Sequence, residues 1–198
     1  LMGDIFDFWF EYRKVVPRGF TRTLGKIAEI ADSGIPVHYF TGNHDIWIFD
    51  YLPEELGIIL HREEYKPEFN GKKFFLAHGD GLDSSDKGYL LLKKIFTSKP
   101  LQWIFARLHP NFAFGIGHNW SKNSRIANGI QADGYRGDDK EGLFIFAESM
   151  EKKEHFDYFI FGHRHLLVER PIGNESVFIN LGDWINYFSY GVFDGEKF

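Results

Sequence analysis

Five short apolar runs in this chain end in the same way, and that repetition restricts the folds open to it more than any other feature. Leu1-Met2 runs into Gly3-Asp4, Val37-His38-Tyr39-Phe40 into Thr41-Gly42-Asn43-His44-Asp45, and Phe74-Phe75-Leu76-Ala77 into His78-Gly79-Asp80. Late in the chain, Tyr158-Phe159-Ile160-Phe161 runs into Gly162-His163-Arg164-His165, and Val177-Phe178-Ile179-Asn180 into Leu181-Gly182-Asp183-Trp184. Short aromatic and β-branched runs of this kind read as buried strands. In open α/β sheets ligands bind beyond the carboxyl ends of the strands, so polar groups placed there converge although far apart in sequence.

The segments between these strands fit that class. Phe20, Leu24, Ile27 and Ala28 form one apolar stripe, predicting a helix from about residue 18 to 32 that Ser33-Gly34 closes. An irregular stretch around Tyr51-Leu52-Pro53 leads to a strand pair at residues 58–60 and 65–69, then a hairpin turn at Asn70-Gly71. A further helix is expected from about residue 141 to 150, after a polar Gly-rich connection. With 198 residues, 43% hydrophobic, the chain can bury one sizeable core, and a single domain is expected over residues 1–198. The first four residues read as the end of a strand, so the N-terminal part of the domain is expected to be absent.

The net charge of −5 argues against a globally basic nucleic-acid binder. The absence of cysteine excludes disulfides and zinc-thiolate sites. No apolar run approaches the roughly 18 residues of a membrane span.

Asp4, Asn43, His78, His163 and His165 are the candidate metal ligands. Carboxylate, amide oxygen and neutral imidazole together suit manganese, iron or zinc rather than calcium. Two ions a few ångströms apart need a bridging carboxylate, for which Asp4 is the candidate. On a straight strand His163 and His165 would share a face; after Gly162 they can instead splay toward two neighbouring ions. His44, beside Asn43, is left free to act as a general acid or to stabilise a transition state. Taken singly, a histidine after a strand is more often structural and a Gly-Asp pair is an ordinary turn. The joint pattern carries the reading. His38, His61, His109, His118 and His155 lack that context and are read as non-ligands.

Between Lys87 and Arg125 lie seven basic residues (Lys87, Lys93, Lys94, Lys99, Arg107, Lys122 and Arg125) and no acidic one. The same stretch holds Tyr89, Phe96, Trp103, Phe105, Phe112, Phe114 and Trp120. Two short amphipathic helices are expected, residues 87–96 and 100–108, with Pro110 beyond the second. This reads as a helical cap of about residues 87–125 inserted at the edge of the site. Apolar and aromatic side chains can cover acyl chains while the cations neutralise phosphate, which suits a phosphorylated lipid, although a nucleotide could use the same charges. Helices packed on the core with solvated lysines would explain the composition without a ligand. Ser121, Lys122 and Arg125 offer hydroxyl, ammonium and guanidinium groups to a diphosphate.

Gly3-Asp4-Ile5-Phe6-Asp7-Phe8-Trp9, Gly42-Asn43-His44-Asp45, His78-Gly79-Asp80 and Gly162-His163-Arg164-His165 together resemble the calcineurin-like metallophosphoesterase superfamily, almost from end to end of the chain. Within it, the Gly-Asp-x-Phe-Asp-x-Trp form and the terminal Leu181-Gly182-Asp183-Trp184 are similar to the UDP-2,3-diacylglucosamine hydrolases of lipid A biosynthesis. The resemblance implies a metallophosphoesterase-type β-sandwich flanked by helices. It implies a two-manganese site in which Asp4 bridges, Asn43, His78 and His163 hold one ion, and His165 helps to hold the other. Asn43, His44, His163 and Asp86 would then contact substrate, Asp86 having a helix N-cap as its other reading.

The family's Asp-x-His pair, which completes the second ion's ligands, has no counterpart before Asp4, so this chain is expected to hold one ion weakly. His44 is also a departure from those enzymes of this function that carry arginine in its place. The activity implied is hydrolysis of the pyrophosphate bond of UDP-2,3-diacylglucosamine by metal-activated water, giving UMP and 2,3-diacylglucosamine 1-phosphate. A peripheral location on the cytoplasmic face of the inner membrane goes with it. A phosphoesterase for a nucleotide or phosphoprotein, and a metal-poor scaffold, are the alternatives.

Overall fold

The computed structural model describes residues 1–129 and 134–198, with the side chains of residues 123–129 excepted. The chain divides into two compact units, Leu1–Arg62 with Lys87–Ala132, and Glu63–Asp86 with Asp133–Phe198.

The first unit begins with α1 (Thr21–Asp32), whose Leu24 and Ile27 are buried and which ends where Gly34 turns with φ 86°. Strand β1 (His38–Phe40) follows, then α2 (Tyr51–Leu56) and β2 (Ile59–His61), which pairs with β1 in parallel. The expected run at Leu1-Met2 forms no assigned strand. Leu1 nonetheless brackets Tyr39 in the manner of a parallel ladder, its N–H donating to His38 O at 2.8 Å and its carbonyl accepting from Phe40 N at 2.9 Å. The residues around Tyr51 are helical rather than irregular. The reason is a tertiary contact: the Glu11 carboxylate accepts from the amides of Phe49 (2.6 Å), Asp50 (2.9 Å) and Tyr51 (3.3 Å), the donors a helix start leaves without partners. Pro53 is tolerated because it lies in the first turn.

The basic stretch forms α3 (Lys87–Thr97), α4 (Lys99–Phe105) and α5 (Pro110–Gly129), three helices where two were expected. Pro110 opens α5 instead of lying beyond the last helix, because proline at a first helical position gives up only a donor that had no intrahelical partner. Gly115 and Gly117 weaken the helical signal in the sequence. Gly117 has a packing role, since a methyl group there would overlap the Phe8 ring. Phe8, Phe10 and Trp47 are buried against Phe96, Phe105 and Phe114 of these helices, with Phe10–Phe105 and Trp47–Phe105 ring centroids 4.8 Å apart. Such pairs add about 0.5–1.5 kcal/mol each beyond the area they bury. Among the described residues no helix is long and apolar enough to cross a membrane.

The second unit is built on β3 (Glu68–Phe69), β4 (Lys72–Ala77), α6 (Gly142–Glu151), β5 (Tyr158–Phe161), β6 (Leu167–Ile172) and β7 (Ser176–Leu181). The sheet order is β3-β4-β5-β7-β6. The central strands β4, β5 and β7 are parallel, with Ala77 opposite Phe161 and Phe161 opposite Asn180. Asn70 and Gly71, at φ 50° and 77°, make the expected tight turn between β3 and β4. Strand β6 was not expected: it is mostly exposed and contains Pro171, and it forms because an edge strand tolerates proline and β7 supplies its partner. Leu143, Phe144 and Ala147 of α6 pack on Phe75, Phe159, Phe161 and Phe178.

Candidate metal centre

In the first unit the polar residues that follow β1 and Met2 are tied together by one wholly buried carboxylate, Asp45. It accepts from Gly42 N (2.6 Å) through Oδ1, and from Tyr39 OH (2.6 Å) and Ile5 N (3.0 Å) through Oδ2. Burial, and then the Asp45 charge, push the Tyr39 phenol well above its ordinary pKa, so it stays a donor. The loop holding Asp4 is thereby fastened to the loop holding Asn43 and His44. Asp4 itself has φ 53° and accepts from His44 N at 2.8 Å. A methyl group on Gly42 would overlap the Asp4 carboxylate, so a glycine lines this cradle because nothing larger fits.

His44 Nδ1 donates to the Asp7 carbonyl at 3.0 Å, and Ser121 Oγ on α5 lies 2.9 Å from the same nitrogen. Because a carbonyl only accepts, the proton sits on Nδ1 and Nε2 is left for other chemistry. Ser121 is 1% exposed, so its hydroxyl is spent inside the protein. Lys122 is exposed, and the Arg125 side chain lies outside the described residues.

In the second unit the parallel sheet sets His78, Gly162-His163-Arg164-His165 and Gly182-Asp183 at one edge, the carboxyl ends of β4, β5 and β7. Gly162 N donates to His78 O at 3.0 Å and Gly162 O accepts from Asn180 Nδ2 at 2.7 Å, so the start of the histidine loop is held by both neighbouring strands. The His78 and His163 ring centroids are 5.1 Å apart. His163 and His165 both have left-handed backbones, φ 60° and 50°. For a non-glycine residue that conformation costs on the order of 1–3 kcal/mol and concentrates at functional sites. His165 Nδ1 lies 3.3 Å from Asp183 Oδ2. Burial works to raise the Asp183 carboxyl, but the amides of Asn186, Tyr187 and Ile185 outweigh it and hold its pKa at about 2. Asp86 occupies the turn before α3, with its amide donating to Asp83 O at 3.3 Å.

Each unit offers donors that suit a divalent ion: in the first, a carboxylate in a cradle with no room for a side chain and an amide beside it; in the second, imidazoles at strand ends. Three buried carboxylates were not among the candidates read from the sequence: Asp45 and Glu141, which hold these loops, and Glu11, which holds the start of α2. Only Asp45 had a local signal, its place in Gly-Asn-His-Asp; Glu11 and Glu141 act through partners remote in sequence.

The family model for calcineurin-like phosphoesterases matches residues 1–167, and the chain belongs to that family of metal-dependent hydrolases. A protein of Porphyromonas gingivalis named UDP-2,3-diacylglucosamine hydrolase is 43% identical over 206 residues, spanning 98% of this chain and 79% of its own length. Proteins of the same name from Shewanella piezotolerans and Klebsiella pneumoniae are 26% and 27% identical, over 93% and 88% of this chain and 75% and 69% of their own lengths. Among solved structures, a Vps29 double mutant from Entamoeba histolytica aligns over 91% of this chain and 71% of its own, at 14% identity and a TM-score of 0.30.

Proposed function

We propose that the chain hydrolyses the pyrophosphate bond of UDP-2,3-diacylglucosamine, releasing UMP and 2,3-diacylglucosamine 1-phosphate. The observation that carries the chemistry is the pair His78 and His163, ring centroids 5.1 Å apart at the ends of adjacent parallel strands. The name and 43% identity of the P. gingivalis relative support the substrate.

Asp4, Asn43, His78 and His163 would hold one manganese ion, and Asp4 with His165 would contribute to a second. When bound, such ions supply Lewis acidity at the phosphoryl oxygens and acidify water. Asp45 keeps the Asp4 and Asn43 loops in one arrangement, so the oxygen ligands are placed beforehand. His44, its Nδ1–H held on the Asp7 carbonyl, would in its doubly protonated form donate from Nε2 to the phosphoryl oxygens or the leaving group. Ser121 reaches the substrate through His44, while Lys122 and Arg125 neutralise the diphosphate and Asp86 contacts the sugar or nucleotide. Within a single catalytic domain, residues 87–125 act as the cap over the acyl chains. The exposed Leu91, Trp103, Ile104 and Phe112, among cations without acids, support that role and a peripheral place on the cytoplasmic face of the inner membrane.

The test is UMP release from UDP-2,3-diacylglucosamine by the full-length protein, with and without manganese, beside His78→Ala. Manganese-dependent release lost in the variant is expected. Hydrolysis of a small phosphodiester without UMP release would overturn the substrate and keep the metal chemistry.

A further inference from the structure

The loop that carries His163 and His165 is gripped by a charge pair for which the chemistry above has no use. Glu141 stands at the N-terminal boundary of α6 and is 3% exposed, yet its side chain makes no capping bond to that helix. Both of its oxygens are taken by Arg164: Nε donates to Oε1 at 2.7 Å and Nη2 donates to Oε2 at 3.3 Å. A two-pronged contact of this kind fixes the plane of the guanidinium as well as its position. A carboxylate this deep would be strongly disfavoured without its partner.

Arg164 is the residue between the two left-handed histidines. Its own amide donates back to Gly162 O at 2.7 Å, and Gly162 is already held by His78 O and Asn180 Nδ2. The backbone from Gly162 to Arg164 is therefore fixed by β4 and β7 on one side and by α6 on the other. Uncommon conformations at two histidines persist only where the surroundings over-determine them, and the Glu141 fork supplies the constraint on the far side of His163.

We infer that Glu141 is a positioning residue: through Arg164 it holds the backbone of His163 and His165 in the left-handed conformation from which both imidazoles are presented to metal. The loop is shaped before an ion arrives, so ion binding does not have to order it. The inference rests on the reading of these histidines as ligands.

The test is a manganese titration of the full-length protein, following the free ion by electron paramagnetic resonance, with amide exchange of residues 162–166 measured on the metal-free form. Glu141→Gln keeps the volume but turns an amide N–H₂ toward the guanidinium. It is expected to weaken manganese binding about 10–100-fold, the range for residues that orient ligands, and to speed exchange in the loop. Should Glu141→Gln fail to fold, the double variant Glu141→Met with Arg164→Met removes both charges without leaving one buried alone; it is expected to fold and to bind manganese as weakly. Phe144→Leu, on the buried face of α6, controls for general loosening: it lowers the thermal midpoint and leaves the affinity unchanged. Wild-type affinity in a folded Glu141 variant, or an equal loss in Phe144→Leu, overturns the inference. A wild-type protein that binds no manganese overturns the ligand reading itself, and shows this before any variant is compared.

Discussion

Asp45→Asn is the sharpest probe of how the oxygen ligands are positioned. The native carboxylate, wholly buried, takes Gly42 N on one oxygen and Tyr39 OH with Ile5 N on the other. An asparagine has one acceptor oxygen, so it can serve only one of these sides. The better choice keeps Tyr39 and Ile5 and turns the N–H₂ toward the Gly42 amide, leaving a buried donor facing a donor. An unsatisfied buried group of this kind costs about 1–3 kcal/mol. The two bonds that survive lose their charge assistance, roughly another 1 kcal/mol together. The total is on the order of 2–4 kcal/mol, measured as the difference in unfolding free energy from urea titrations of wild type and variant at neutral pH. Because Gly42 and Ile5 flank Asn43 and Asp4, manganese affinity should fall with it. Tyr39→Phe, which removes one donor and orphans no amide, should cost less than half as much. A loss below 1 kcal/mol in Asp45→Asn, or a larger loss in Tyr39→Phe, would refute the reasoning.

Three further outcomes follow from the same contacts. Ser121→Ala should lower kcat on a small phosphodiester and on the acylated substrate alike, with KM unchanged, because the hydroxyl acts on His44; a rise in KM confined to the acylated substrate would mean that it touches substrate directly. Gly42→Ala should both abolish metal binding and lower stability, since a methyl group would overlap the backbone nitrogen of Asp4 as well as its carboxylate; calorimetric manganese titration and thermal midpoints check it. Burial works to raise the Asp157 carboxyl, but the 2.8 Å bonds from Lys72 Nζ and Lys73 N outweigh it and hold its pKa below the usual 3.8. A carboxyl depressed in the folded state contributes stability above its unfolded pKa and loses it as pH falls. Asp157→Asn should therefore destabilise at pH 7 and converge on wild type only as the pH falls through the folded pKa, below 3.8, read from thermal midpoints.

What was legible in the chain was whatever short-range pattern encodes. The strands at residues 158–161 and 176–181 and the Asn70-Gly71 turn follow from local composition, and so do the polar residues closing each strand. The helix at Tyr51–Leu56 did not, because Glu11, some forty residues upstream in the chain, supplies its capping acceptor. Nor did α5, whose glycines read as breakers until Phe8 is seen to need the room of Gly117. Candidate ligands announce themselves because imidazole, amide and carboxylate after a strand are chemically conspicuous. The residues that aim them, Asp45 and Glu141, are ordinary acids whose role exists only once remote backbone is brought to them.

The central claim of the proposal is that His78 and His163 would hold one metal ion. Its most direct test is the manganese affinity and stoichiometry of the full-length protein, of His78→Ala, of His163→Ala and of the double variant. The account predicts a large loss in each single variant and no further loss in the double. Additive losses, or a single variant that binds manganese as the wild type does, would contradict it.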